Sequence, residues 1–360
     1  MAENVADDVF VNDSILFESS HLGNIANYLG ATEPALRLLL SILIGYPLTL
    51  IHRFTLYGKS TLHQHIFFIV SGLSIGYFNY GWEVLHSMAS ILVTYTVLFT
   101  MGGSLISVAI TFIFSMTYLL AGYYATGTET YDIKWSMPQC VLTLRLIGLA
   151  FDLYDGKKPA ELLSNDQKKA ALSKIPSLLE VAGHTYFPSS FLVGPQFSMR
   201  RYQDFVSGEF REKNTYSLLC SQMLPFVKKC LVLGFWGKMT LYKYISCWLI
   251  SEGVCICSGL TYNGKTPDGQ IKWDGCANVK LRVFEGATKF GHFIASFNIN
   301  TNNWVSQYVY KRLKFMGNRY ISQAAALMFL AVWHGLHTGY YMCFAMEFLV
   351  MKLEKDVSFV

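Results

Sequence analysis

The sequence predicts an all-α, polytopic membrane protein, and three observations carry that prediction. Of its 360 residues, 52% are hydrophobic and only 15% are charged, against the ~25% charge usual in a soluble domain. The mean hydropathy is positive, at +0.32. The uncharged stretches are also long enough to cross a bilayer, for which ~20 apolar residues suffice. Phe, Tyr and Trp make up 15% of the chain, as suits wide lipid contact with aromatic belts at both interfaces. Disorder, collagen and a secreted disulfide scaffold are excluded. The net charge of +5 comes with no dense basic stripe, so a nucleic-acid surface is not expected.

Read in order, the first candidate span is Leu38–Ile51, lying between Arg37 and Arg53 and interrupted by Pro47. The second is Ile66–Tyr80. No charge occurs from Val84 to Thr128, and Gly102-Gly103 divides that run into spans over 84–101 and 104–122. Val141–Phe151 carries Arg145 within it. Two further segments, 217–236 and 239–260, bring Lys238, Lys243 and Glu252, and Ile321–Met346 is long enough to cross with tilt. Charges within spans are costly, so Arg145, Lys243 and Glu252 are expected to face a protein interior or a wet cavity, which implies a polar chamber. Residues 152–180 read as a solvated, partly helical loop, and 261–292 as a second loop. Cys255 and Cys257 form a lone C-x-C and read as small buried hydrophobes. Residues 1–34 contain no Lys or Arg, show no secretory signal, and carry the one sequon, at Asn12; they are expected to form a tail on the lumenal side.

Gly72-Leu73-Ser74-Ile75-Gly76 matches the nucleophile-elbow pattern, but it lies mid-span, where small residues serve close helix approach. The stronger signal is Trp333-His334-Gly335-Leu336-His337-Thr338-Gly339-Tyr340. An ionisable group at that depth is a functional candidate. His334 and His337 are three apart, which on a continuous helix puts them on one face. Gly335 stands where a zincin needs Glu, so no metal is expected. Two readings of His334 stay open: an imidazole bonded to a neighbouring helix, or a catalytic group. In Ser296–Trp304, the amides Asn298, Asn300, Asn302 and Asn303 either line a hydrated pocket or serve a turn and helix cap. Lys311, Arg312 and Lys314 follow, as an interface anchor or as contacts for an anionic ligand.

The F-N-x5-W segment at Asn298, paired with the downstream W-H-G at His334, resembles the signature of the membrane-bound O-acyltransferase family. Leu36–Leu39, Tyr131–Pro138, Pro176–Gly183 and Phe191–Met199 resemble members of that family as well, so the likeness runs over almost the whole chain. It implies a multi-helix fold around a buried reaction chamber over 35–360, with His334 and Asn298 catalytic. Trp304, Lys311, Arg312, Lys314 and His337 are then candidate substrate contacts. The resemblance further implies acyl transfer from acyl-CoA as co-substrate, without a cofactor, to the sn-2 hydroxyl of lysophosphatidylcholine, lysophosphatidylethanolamine or lysophosphatidylserine. It favours polyunsaturated chains, an endoplasmic reticulum membrane location and a possible homodimer. Relatives continue past the histidine helix with further spans, whereas this sequence ends at Val360, and the segment after Phe210 looks shorter. A shortened form with reduced or no activity is therefore expected. The rival readings are another hydroxyl acceptor, a non-catalytic form, and a channel or transporter, the last being indifferent to loss of His334.

Overall fold

The computed structural model describes residues 21–127, 133–188, 190–210 and 239–357. The expected span at 217–236, the sequon at Asn12 and most of the N-terminal tail lie outside the described residues. Regular structure among the described residues is helical, apart from one isolated bridge between Lys265 and Ile271.

The apolar runs of the first half of the chain become helices where they were expected. After α1 (His21–Tyr28), α2 spans Glu33–Ile51 and continues as a π-helical turn to Leu56, passing through Pro47 without a break. A proline inside a spanning helix is tolerated where neighbouring groups meet the freed backbone. Next come α3 (Thr61–Tyr80), α4 (Leu85–Met101) and α5 (Leu105–Thr126). The α4–α5 break falls at the predicted glycine pair, where Gly102 adopts a φ of 61° and Ser104 caps α5. Four stretches among the described residues are long and apolar enough to cross a membrane: Glu33–Leu56, Thr61–Met101, Leu105–Thr126 and Ser136–Asp155.

The last of these, α6 (Ser136–Asp155), differs from the others. It is buried at 83% of the positions in its most apolar stretch, against 28–39% for the other three, so it is the hub and they are the lipid-facing wall. One face of α6 packs into a core with α2–α4, α8 (Leu178–Thr185) and α9 (Met199–Ser207). The other face, through Leu144 and Ile147, packs against Met116, Leu119, Trp304, Leu330 and Trp333. Gly72 serves the close packing expected of it: a Cβ there would lie 2.0 Å from the Tyr186 carbonyl oxygen, and the Ser74 hydroxyl merely donates to Val70 of its own helix.

Arg145 faces the interior as expected. It is 4% exposed, and its guanidinium donates to the carbonyls of His184, Thr185 and Ser190 at 2.9 Å each. Lys243 does not. It lies exposed near the start of α10 (Met239–Ser258), where a long side chain reaches outward at little cost. Glu252 is half-buried and accepts from the Asn278 N–H. Cys255 and Cys257 are fully buried. Short helix α7 (Asn165–Ala170) falls in the first predicted loop, as a partly helical segment should. The second predicted loop needs correction: 261–292 contains α11 (Leu281–Glu285) and the start of α12 (Phe290–Ser296), with Leu281 and Phe284 of α11 packed against α10.

The span predicted over Ile321–Met346 is not one helix. It is two: α14 (Arg319–His334), which follows α13 (Ile299–Val305), and α15 (Thr338–Val357). Gly335, with φ 132° and ψ −171°, takes a conformation that side-chain-bearing residues rarely adopt, and it ends α14 at His334. At ~1.5 Å per residue α14 measures about 24 Å, shorter than the ~30 Å hydrocarbon core. The expected shared helix face for His334 and His337 is lost with the break: His334 closes α14, and His337 sits in the exposed link.

Candidate active site

The asparagine segment and the histidine corner are docked on the same stripe of α6. Trp304 Nε1 donates to the Leu144 carbonyl at 2.9 Å, and Trp333 Nε1 donates to the Cys140 carbonyl at 3.1 Å. Four residues are about one helical turn, so the two indoles dock about 5–6 Å apart along α6. Trp304 also stacks on Phe329 of α14, with centroids 5.6 Å apart. Two segments whose tryptophans stand 29 positions apart in sequence are thereby brought into one cluster.

His334 sits in an aromatic corner. Its ring lies 5.4 Å from both Tyr340 and Phe344 and meets Trp333 edge-on at 4.6 Å. Tyr123 reaches across from α5 to donate to the Trp333 carbonyl. No described residue makes a hydrogen bond to the His334 ring nitrogens. The reading of His334 as an imidazole bonded to a neighbouring helix thus finds no partner among the described residues.

The four amides divide into two kinds. Asn302 Nδ2 donates to the Ile294 and Phe297 carbonyls, both at 3.0 Å, and so pins the α12–α13 turn. Asn300 Nδ2 donates to the carbonyls of Cys276 and Ala277. The side chains of Asn298 and Asn303 hydrogen-bond to no described residue. Asn298 is also the one non-glycine residue with positive φ among the described residues, at φ 49° and ψ 44°. Left-handed backbone is uncommon for L-residues, and where it occurs outside glycine it clusters at functional sites.

A cavity of about 820 Å³ opens between α6, α9, the 262–275 loop and the 300–311 segment. Arg145, Lys168, Lys169, Arg200 and Lys311 line it together with Asn300, Asn303 and Trp304. The residues expected to contact substrate therefore separate. Trp304 and Lys311 reach this cavity, whereas Arg312, Lys314 and His337 are not among its lining residues, nor are Asn298 and His334. Arg312 is turned inward, with both guanidinium ends on the buried Asp155 carboxylate at 2.5–2.8 Å. Lys314 and His337 are exposed. Lys311 bonds to Asp166, and that hydrogen bond holds the Asp166 carboxyl below its usual range. Beside the cavity His184, fully buried, has its imidazole pushed down to about 3, by burial first and then by the charge of Arg145.

Sequence reasoning missed Asp155, Tyr123 and Asn278 as parts of this arrangement. Each lies more than ten positions from its partner, and none stands in a motif, so no local signal could have marked them.

With this geometry in hand, comparisons with known proteins agree with the two-segment signature. The profile of the membrane-bound O-acyltransferase family matches residues 120–235 and 220–360. Lysophospholipid acyltransferase 5 of Rattus norvegicus is 47% identical over 375 residues, covering 95% of this chain and 77% of the relative. The Drosophila melanogaster protein of the same name is 48% identical over 370 residues, with 94% and 74% coverage. That of Caenorhabditis elegans is 36% identical over 361 residues, with 91% and 76% coverage. Identity of this degree over almost the whole chain shows that the protein is an acyltransferase of the membrane-bound O-acyltransferase family.

Proposed function

We propose that this chain transfers an acyl group from acyl-CoA to the sn-2 hydroxyl of a lysophospholipid, with His334 as general base and Asn298 as the oxyanion donor. The observation that carries the reading is that two segments, each with a polar side chain that no described residue hydrogen-bonds, are anchored through their indoles one turn apart on α6. The names of the relatives support the lysophospholipid acceptor.

A glycerol hydroxyl is a weak nucleophile and needs a base within hydrogen-bond reach, a role worth ~10²–10⁴-fold in rate. His334 takes the hydroxyl proton as the oxygen attacks the thioester carbonyl. The carbonyl oxygen gathers negative charge, to which the Asn298 amide donates. The carbon–sulfur bond then breaks, and the imidazolium returns its proton to the departing thiolate, leaving a diacyl phospholipid and free CoA. Lys168, Lys169 and Arg200 around the cavity suit the phosphates of the co-substrate. The acceptor headgroups are choline, ethanolamine and serine, the favoured chains polyunsaturated, and the compartment the endoplasmic reticulum membrane.

The test is arachidonoyl-CoA transfer to lysophosphatidylcholine in microsomes depleted of endogenous acyltransferases, beside His334→Ala at matched abundance of folded protein. Product that disappears with the substitution is the expected result. Product that persists removes His334 as the base, and no product from abundant folded protein favours a non-catalytic form. Palmitoyl-CoA, lysophosphatidylserine, cholesterol and diacylglycerol in the same assay separate the acyl and acceptor preferences.

A further inference from the structure

Asn298 stands where a helix ordinarily caps itself, and it does not cap. A typical N-cap residue is extended and uses its side-chain oxygen to accept from the second or third helical N–H. Asn298 is left-handed, and its side chain accepts from none of them. The first amides of α13 are met from a distant loop instead. The Asn278 carbonyl accepts from Ile299 N at 3.0 Å, and Asn278 Oδ1 accepts from Asn300 N, also at 3.0 Å. Asn300 Nδ2 returns a contact to the same oxygen at 3.2 Å. Asn278 is 2% exposed, and its own N–H donates to Glu252 Oε2 at 3.1 Å.

We infer that Asn278 is a positioning residue for acyl transfer, capping α13 from outside so that Asn298 keeps its left-handed backbone and its amide stays free for the reacting groups. An asparagine that capped its own helix would have its carbonyl oxygen occupied and its amide plane fixed along the helix. Supplying the cap from Asn278 separates the two duties. The borrowed cap also favours a backbone conformation that Asn298 would seldom hold unaided. Glu252 extends the chain of support into α10, which gives that half-buried carboxylate a partner in the same network. The inference rests on the acyl-transfer reading of Asn298.

Two measurements test it on the full chain. In the microsomal assay, Asn278→Ala is expected to lower kcat about tenfold with KM within about twofold, and to cause no further loss in an Asn298→Ala background. Asn278→Asp keeps an acceptor oxygen and is expected to recover most of the rate. In detergent micelles, deuterium exchange over residues 297–305 is expected to rise about tenfold in Asn278→Ala, with exchange across α14 unchanged. Equal losses of kcat in both backgrounds would overturn the positioning role. Unaltered exchange at 297–305 would overturn the borrowed cap whether or not the chain turns over. Full activity of Asn298→Ala would instead bring down the underlying reading of Asn298, and the inference with it.

Discussion

Between Ser296 and Trp304 the chain is held by directed polar contacts, whereas between Trp333 and Tyr340 it is held mainly by aromatic faces. In the first region Asn300 and Asn302 spend their amides on the carbonyls of Cys276, Ala277, Ile294 and Phe297, and the helix start is capped from Asn278. In the second, His334 lies among Trp333, Tyr340 and Phe344 without a hydrogen bond to its ring from any described residue. The difference suits the two roles proposed for Asn298 and His334. An oxyanion donor has to point in a fixed direction, which hydrogen bonds on its neighbours impose. A base has to keep its unprotonated ring nitrogen open to the substrate, and apolar walls confine an imidazole without occupying it.

The comparison breaks first at the asparagines. Asn298→Ala is expected to cut kcat about 10²-fold, the usual loss for one oxyanion donor, while leaving the unfolding temperature in detergent unchanged. Asn302→Ala removes two hydrogen bonds to backbone carbonyls and is expected to cost about 2 kcal/mol of stability with little change in rate per folded molecule. Calorimetry and the microsomal assay on the same preparations read both. A rate loss from Asn302→Ala as large as that from Asn298→Ala would mean the amides do not divide into chemical and structural members.

The aromatic corner should respond more mildly. Tyr340→Leu removes a ring stacked 5.4 Å from His334 and is expected to cost about 1 kcal/mol. Thermal unfolding is the readout, and a loss above about 3 kcal/mol would show that the corner is not held by stacking alone. Trp304→Phe keeps the stack on Phe329 but loses the indole donor to Leu144, for a similar cost of about 1 kcal/mol.

A separate effect concerns pH. His184 is held neutral with its imidazole pushed down to about 3 from an ordinary 6.5, so below that ordinary value the unfolded chain binds the proton more readily. Its contribution to stability is therefore complete above about pH 6.5 and declines as the pH falls from there towards 3. Wild type should lose more unfolding temperature between pH 7.5 and 5 than His184→Gln does. Equal losses would assign the acid sensitivity to other groups.

Much of the helix layout is legible in the sequence because hydrophobic run length is a local property. The glycine pair at 102–103 and the charge-free run around it place α4 and α5 to within a few residues. The 321–346 run misleads for the same reason: hydropathy does not register a backbone break, and Gly335 ends the helix inside an unbroken apolar stretch. The candidate site was legible as two segments and not as an arrangement. Composition identified the amides, but nothing local said which of them were already engaged. Arg312 read as an interface anchor or a contact for an anion, and nothing local pointed to Asp155, 157 positions away, which holds it.

The sequence by itself therefore determined an all-α membrane protein, the positions of its longest apolar helices, and the pair of segments in which its chemistry should lie. Run length and motif chemistry act over a few tens of residues at most, and these features need no more. Only the tertiary structure decided that α6 is the shared platform, that both indoles dock on it one turn apart, and that Asn278 caps a helix it is not part of. Those outcomes depend on buried donors meeting acceptors across the fold, and a buried polar group takes whichever partner packing brings within about 3 Å.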